Sequence, residues 1–291
     1  MENVCVLIRV YNRIEDLRHT VEIIRNTWTL FNYHIIVVAN GKKKGFVVDA
    51  ETRNKVDLVI ELEENAGHLL GNSQLLLNGV PAIPNNCKYT VILEADTWLY
   101  KDVLIKKYVD KLNHTGNVWA SARWYDKLFS VATDIAVIQT QFIKTEPQVF
   151  EFSVFPEYYI AEYLIDHHKG YTFITENMPV HLPGYIKNYP YTTERRFNVY
   201  PKSKMVTHHF EDLPGGLEEK KFLFNAIVGQ EYFKIDKRAS YTTALLKIKL
   251  AIITSYLLPK RNWFFKYRKI NESDLLYLKQ QTEQIANRKE Q

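Results

Sequence analysis

Two cysteines, Cys5 and Cys87, are all that the 291 residues hold, and both fall in apolar runs of strand character. So placed, they read as small buried side chains in a reducing compartment, and a disulfide framework is not indicated. No Cys/His spacing of a structural zinc site occurs either. Glycine is scarce at 11 residues, and neither Gly-x-Gly-x-x-Gly nor Gly-x-x-x-x-Gly-Lys-Ser/Thr is found. Dinucleotide-binding and P-loop readings lose their main support, because those phosphate cradles need glycine where backbone meets phosphate. Leu250 to Leu258 is a short apolar run, far below the ~20 residues that span a bilayer. The N-terminus has no basic stretch leading into an apolar segment and a small-residue cleavage site, so no secretory leader is expected. Internal repeats and low-complexity tracts are absent, which argues against solenoids and arrays.

What remains suits one large soluble domain, or one domain with an appendage: 46% of residues are hydrophobic and 24% charged. The charge is uneven. Residues 234–269 carry ten Lys and Arg against one acid, Asp236, while the whole chain is only +5, so the remainder is net negative. A basic section on a mildly acidic body suggests that the section meets an anionic surface. No nucleic-acid recognition motif accompanies the charge, and nucleic acid is not expected as a partner.

The stretch that organises the chain is Tyr89-Thr-Val-Ile-Leu-Glu94-Ala95-Asp96. An all-apolar run reads as a strand buried on both faces in the middle of an α/β sheet. Strand alternation would point Glu94 and Asp96 to one side. Two carboxylates converging at a strand end suit a divalent cation, which in turn could hold a diphosphate. The plainer alternative is a strand that meets solvent at Glu94.

Val4–Ile8, Tyr33–Ala39 and Leu58–Leu62 read as further strands, and residues 14–28 as a helix with Leu17, Val21, Ile24 and Trp28 at helical spacing. This rhythm argues for a mostly parallel, helix-flanked α/β sheet, in which ligands bind beyond the carboxyl ends of the strands. Tyr11, Asn12, Asn40, Gly67, Glu94 and Asp96 all follow strands. Beyond Asp96 we expect a helix over 101–113, strands over 117–123 and 134–142, and a helix over 155–170 closed by Gly170. A loop rich in Pro, Tyr and Asn covers 178–201. Residues 205–212 form another strand end carrying His208 and His209, and Pro214-Gly-Gly216 reads as a flexible turn.

In this order these segments resemble the GT-A glycosyltransferases, particularly the bacterial family 2-like enzymes. Val4-Cys-Val-Leu-Ile-Arg-Val-Tyr-Asn12 looks like their opening strand, usually Val-Ser-Val-Ile-Ile-Pro-Val-Tyr-Asn. His34-Ile-Ile-Val-Val-Ala-Asn-Gly41 resembles their second strand and turn, and Asn65-Ala-Gly67 through Asn72 their Asn-x-Gly…Asn loop. Ile92-Leu-Glu94-Ala-Asp96 falls where their Asp-x-Asp motif belongs, and His208 or His209 where a late histidine completes the metal site. The departures are Arg9 for the usual Pro, Asn40 for an acid near the base, and Glu94 for the first Asp. The usual Glu-Asp acceptor motif is absent; Glu157-Tyr158 and Glu162-Tyr163 are the nearest substitutes.

The resemblance implies a GT-A fold over 1–233, with a nucleotide-sugar half about 1–100 and an acceptor half about 101–233. Residues 234–291 would follow as a basic, aromatic, helical extension. It implies a metal-dependent, inverting, hexosyltransferase-type enzyme using Mn²⁺ or Mg²⁺. The donor is a nucleotide-sugar and the acceptor a glycan or lipid-linked molecule in bacterial surface-glycan synthesis. Asp96, Glu94 and His209 or His208 would hold the metal. Arg9, Tyr11, Asn12, Asn40, Asn65, Gly67, Asn72, Glu94 and Ala95 would line the donor pocket. The family places the base near the start of a helix, where Pro156 precedes Glu157, so Glu157 is the expected base and Glu162 the alternate. The expected location is cytoplasmic, on the inner face of the membrane. Pro259–Lys269 interleaves bases with aromatics, and suits either a segment resting on anionic lipid or a helix packed on the catalytic domain. The competing expectation is a degenerate GT-A fold that binds glycans or nucleotides without turnover.

Overall fold

A computed structural model of the chain describes residues 1–123, 130–177, 198–207, 213, 215–235 and positions 246, 249, 250 and 253. The chain opens with β1 (Asn3–Val10), α1 (Ile14–Thr27), β2 (Asn32–Ala39), a short α2 (Ala50–Arg53), β3 (Leu58–Glu61), α3 (His68–Gly79) and β4 (Tyr89–Glu94). It continues through β5 (Trp98–Leu99), α4 (Val103–Thr115), β6 (Trp119–Ser121), β7 (Ile135–Gln139), α5 (Thr140–Thr145) and α6 (Pro156–Asp166). It then passes through β8 (Tyr171–Phe173), β9 (Asn198–Tyr200), β10 (Met205–Thr207) and α7 (Gly216–Val228).

Seven strands form the main sheet in the order β3-β2-β1-β4-β7-β6-β8. β3, β2, β1 and β4 are parallel, β7 runs against both its neighbours, and β6 and β8 are parallel again. This is the mostly parallel α/β sheet that the strand–helix rhythm predicts. β1 is central because its Val4-Cys-Val-Leu-Ile run has apolar side chains for both faces. Val4, Val6 and Ile8 enter one core with Leu17 and Val21 of α1, while Cys5 and Leu7 enter the opposite core with Leu75 and Leu76 of α3. Burying each such aliphatic side chain contributes about 1.5–3 kcal/mol before chain entropy is counted. Both cysteines are buried free thiols, as their apolar setting predicts.

β5, β10 and β9 make a second, antiparallel sheet, where Val206 pairs with Trp98 and Met205 with Leu99. α7 packs there, with Leu223 and Phe224 against Trp98 in a third apolar cluster.

Two expectations change. β7 stops at Gln139 and the chain turns helical from Thr140. Phe142 and Ile143 are adjacent and enter the same core, which a helix allows and a strand, sending neighbours to opposite faces, does not. α6 ends at Asp166, and the left-handed residue beyond it is His168 (φ 51°), so Gly170 is not its cap. The expected turn before α7 is present: Gly216 N–H donates to the Leu213 carbonyl at 3.0 Å, and the Gly215 amide donates to Glu219 Oε2 at 2.8 Å, tying off the first turn of the helix. Among the described residues no helix is long and apolar enough to cross a membrane. The expected basic extension lies almost wholly outside the described residues, as does most of the loop over 178–201.

Candidate active site

The carboxyl ends of β1, β2 and β4 place most of the predicted residues along one edge. β4 delivers Glu94 and then stops: Ala95 and Asp96 form a turn closed by Thr97 N–H donating to the Glu94 carbonyl at 3.0 Å. Strand alternation therefore does not govern Asp96, and the two carboxylates face different arginines. Arg9, at the end of β1, donates to Glu94 Oε1 at 3.2 Å, while Arg13 Nε stands 4.0 Å from Asp96 Oδ2.

Arg9 is 4% exposed, and its guanidinium also donates to Asn72 Oδ1 and to the Thr133 carbonyl. One buried cation thus joins the loop–helix α3, the end of β4 and the approach to β7. Thr133 Oγ1 in turn donates to Glu157 Oε1 at 3.3 Å, and Val131 N–H donates to the Glu157 carbonyl at 3.0 Å. Glu157 lies in the first turn of α6, where the helix dipole favours a carboxylate. Glu94, Arg9, Thr133 and Glu157 therefore form a continuous polar chain between the two halves of the sheet. Glu162 lies further along the same helix.

Asn40 does not make a left-handed turn, the structural role its residue type suggests. It is buried, and its amide donates to the Gly71 carbonyl at 3.0 Å and to Gln74 Oε1 at 3.3 Å. Asn65 Nδ2 donates to Asn40 Oδ1 at 3.4 Å, and Asn65 Oδ1 accepts from Gly67 N–H at 2.7 Å. Gly67, at φ 98°, leads into α3. Asn40, Asn65 and Gly67 thus shape the mouth of α3, and Asn72 faces Arg9. Tyr11 is half-buried with its ring edge-on to Phe46 at 5.4 Å, and Asn12 is exposed. Ala95 is buried, and its carbonyl accepts from Thr20 Oγ1 at 2.5 Å. His208 and His209 lie outside the described residues.

Asp96 is 6% exposed, and its Oδ1 is buried with no hydrogen-bond partner among the described residues. A carboxylate oxygen withheld from water and from donors is costly unless a cation completes it. No group of three or more His, Cys, Asp or Glu able to hold a metal occurs among the described residues. The donor set they offer is hard oxygen centred on Asp96, which fits Mn²⁺ or Mg²⁺ in kind. A surface cavity of about 410 Å³, lined by Asn26, Thr27, Leu30, Tyr100 and Lys101, contains none of the predicted residues.

The residues that sequence reasoning missed lie beneath the turn. Lys220 of α7 is fully buried and donates to Asp16 Oδ1 at 2.5 Å and to the Asp96 carbonyl at 2.7 Å. Burial pushes the Asp16 carboxyl up against the pull of the Lys220 ammonium, with the Asp96 charge adding to the rise. Asp16 and Thr20, four apart on the buried face of α1, were a readable signal. Lys220, in an unremarkable Glu-Glu-Lys-Lys run, carried none.

Residues 5–210 match the family model described as Glycosyl transferase family 2. No curated protein matches the chain. Among solved structures, the chain is 12% identical to S. aureus TarS, covering 88% of this chain and 44% of that one at a TM-score of 0.46. It is 11% identical to the mannosyltransferase PcManGT from Pyrobaculum calidifontis in complex with GDP-Man and Mn²⁺, covering 87% and 73% at 0.46. Mouse xyloside xylosyltransferase 1 is 10% identical, covering 65% and 91% at 0.44.

Proposed function

The chain belongs to glycosyl transferase family 2, and from that premise we propose a cation-dependent, inverting transfer of a sugar from a nucleotide-sugar to a glycan or lipid-linked acceptor. The observation that carries the reading is Asp96 Oδ1, buried and unpartnered among the described residues in the turn that follows β4. Asp96 would hold Mn²⁺ or Mg²⁺, with His208 or His209 as the proposed further ligand. The ion would act as a Lewis acid on the diphosphate, neutralising the charge that grows as it departs. Arg9 donates to Glu94 Oε1, and the Arg13 guanidinium stands 4.0 Å from the outer oxygen of Asp96. Tyr11, Asn12 and the Asn40–Asn65 pair form the proposed base and ribose side. Glu157 is the proposed general base: its carboxylate takes the proton of the acceptor hydroxyl as that oxygen bonds the anomeric carbon and the bond to the diphosphate breaks. Catalysis is proposed for 1–233, and contact with anionic lipid for the basic residues of 234–291.

The Arg9–Glu94 pair favours one competing reading, a binding protein without turnover, because it engages the carboxylate that stands where the family has its first Asp. Calorimetric titration with Mn²⁺, followed by a panel of UDP-, GDP-, dTDP- and CMP-sugars, tests both. The enzyme reading expects Mn²⁺ binding that Asp96→Asn abolishes, and Mn²⁺-dependent hydrolysis of one donor by the protein alone. Donor binding without hydrolysis or transfer would favour the binding protein. Full turnover in excess EDTA would remove the cation from the mechanism.

A further inference from the structure

Lys220 and Asp16 are both at zero exposure, an ion pair withdrawn from water. Such a pair is a weak device for stability, because well-packed apolar residues of similar volume often serve as well or better. What apolar residues lack is a fixed donor. Lys220 Nζ uses its second hydrogen bond on the Asp96 carbonyl at 2.7 Å, and sits 4.5 Å from the centroid of the Trp98 ring. The other bonds of this turn come from the sheet and α1. Ala95 N–H donates to the Arg9 carbonyl at 3.1 Å, and Thr20 Oγ1 donates to the Ala95 carbonyl at 2.5 Å. The clamp on Asp96 alone comes from α7, which lies beyond the residues matched to the family model.

We infer that Lys220, held by Asp16, is a positioning residue that aims the Asp96 carboxylate through its own backbone carbonyl. This makes α7 part of the donor site. Lys220 is too deeply buried to meet a diphosphate itself, so it acts only through Asp96. The carboxylate of Asp16 and the aromatic face of Trp98 flank the ammonium, which donates to the Asp96 carbonyl from between them. Fixing that peptide fixes the side chain that leaves the next bond. The inference rests on the reading that Asp96 holds the cation.

The test uses the full chain and Mn²⁺ alone, titrated by calorimetry. Removing Lys220 singly would strand the Asp16 charge, so the informative variant is Asp16→Leu/Lys220→Met, which removes both charges together. It is expected to melt cooperatively with wild-type circular dichroism yet bind Mn²⁺ about tenfold or more weakly, the scale of one lost charge-assisted hydrogen bond. Asp16→Asn/Lys220→Gln, whose amide can still reach toward the carbonyl, is expected to recover part of that loss. A folded double variant that binds Mn²⁺ within about twofold of wild type, where one lost charge-assisted bond predicts far more, overturns the inference. Wild type and Asp96→Asn with equal Mn²⁺ affinity overturns the cation reading and this inference with it. Hydrogen exchange on the unmodified chain gives a second route that needs no variant to fold. The amides of 95–98 and of α7 are expected to open at one common rate. Rapid exchange in α7 beside a protected turn contradicts the tie.

Discussion

Arg9→Met is the sharpest probe of the polar chain that joins the two halves of the sheet. Methionine keeps the length and apolar stem of arginine but removes the guanidinium. Three acceptors then lose their donor: Asn72 Oδ1, Glu94 Oε1 and the Thr133 carbonyl. A hydrogen bond involving a charged group contributes about 1.5–3 kcal/mol net, and breaking a buried ion pair costs about 3–5 kcal/mol. The Glu94 side chain is 26% exposed, so water partly replaces the lost cation and the upper figure does not apply in full. We expect a loss of about 2–4 kcal/mol, several degrees in melting temperature for a chain of this size. Paired urea and thermal transitions of Arg9→Met, Glu94→Gln and the double variant measure it. The double variant is expected to regain about 1–2 kcal/mol over Arg9→Met, because the uncompensated carboxylate is gone. Arg9→Met within about 0.5 kcal/mol of wild type, the range of ordinary surface changes, would show that the guanidinium has no structural part here. A double variant no better than Arg9→Met would show that Glu94 is not its partner.

Burial, with the charges of Lys221, Arg18 and Lys220, pushes His19 down to about 4 from an ordinary 6.5, so the fold holds it neutral. Between those values the unfolded chain takes up a proton that the fold refuses; stability falls as pH drops from 6.5 to 4, by at most about 3 kcal/mol. His19→Phe, which keeps a ring against Trp98 and Phe233, is expected to flatten that part of the pH–stability curve, and an unchanged slope would refute it. A Cβ on Gly71 would press on Asn65 Oδ1 and come within 3.1 Å of Asn40 Nδ2, so Gly71→Ala is expected to raise donor KM several-fold with little effect on kcat. Glu157→Gln should lower turnover about 10²–10⁴-fold while donor binding persists; if Glu162→Gln does so instead, the base is Glu162. Truncation after Ser255 should reduce sedimentation with anionic liposomes, and undiminished binding would place the lipid contact elsewhere.

Much of the sheet was legible because burial on both faces leaves an unmistakable trace. Val4–Ile8, Ile35–Ala39 and Val91–Leu93 are apolar runs without a polar break, and they lie in β1, β2 and β4. The reversal of β7 was not legible, since strand direction follows from what the neighbouring strand needs, and apolar alternation is the same either way. At the site, the polar residues after each strand gather along one sheet edge, as their order suggested, but their partners were hidden by distance along the chain. Arg9 stood out as a departure from the resembling family, yet nothing local pointed it at Thr133. Asn40 looked like a turn residue because its neighbour is Gly41; its amide is used by Gly71 of α3. Asp96 looked like a strand residue, and only the turn at Ala95 shows otherwise.

The 124 residues that separate Asp96 from Lys220 set a schedule as well as a contact. Chains emerge from the ribosome at about 5–20 residues per second, and N-terminal units fold first. β1 to β4 and α1 can therefore assemble while α7 has yet to be synthesised, and for roughly 6–25 seconds Asp16 waits beneath the sheet without its ammonium. An acid in that position either stays hydrated, keeping α1 loose on the sheet, or takes a proton. The nascent chain thus carries its own delay: α7, made long after α1, is the helix that lets the first one settle.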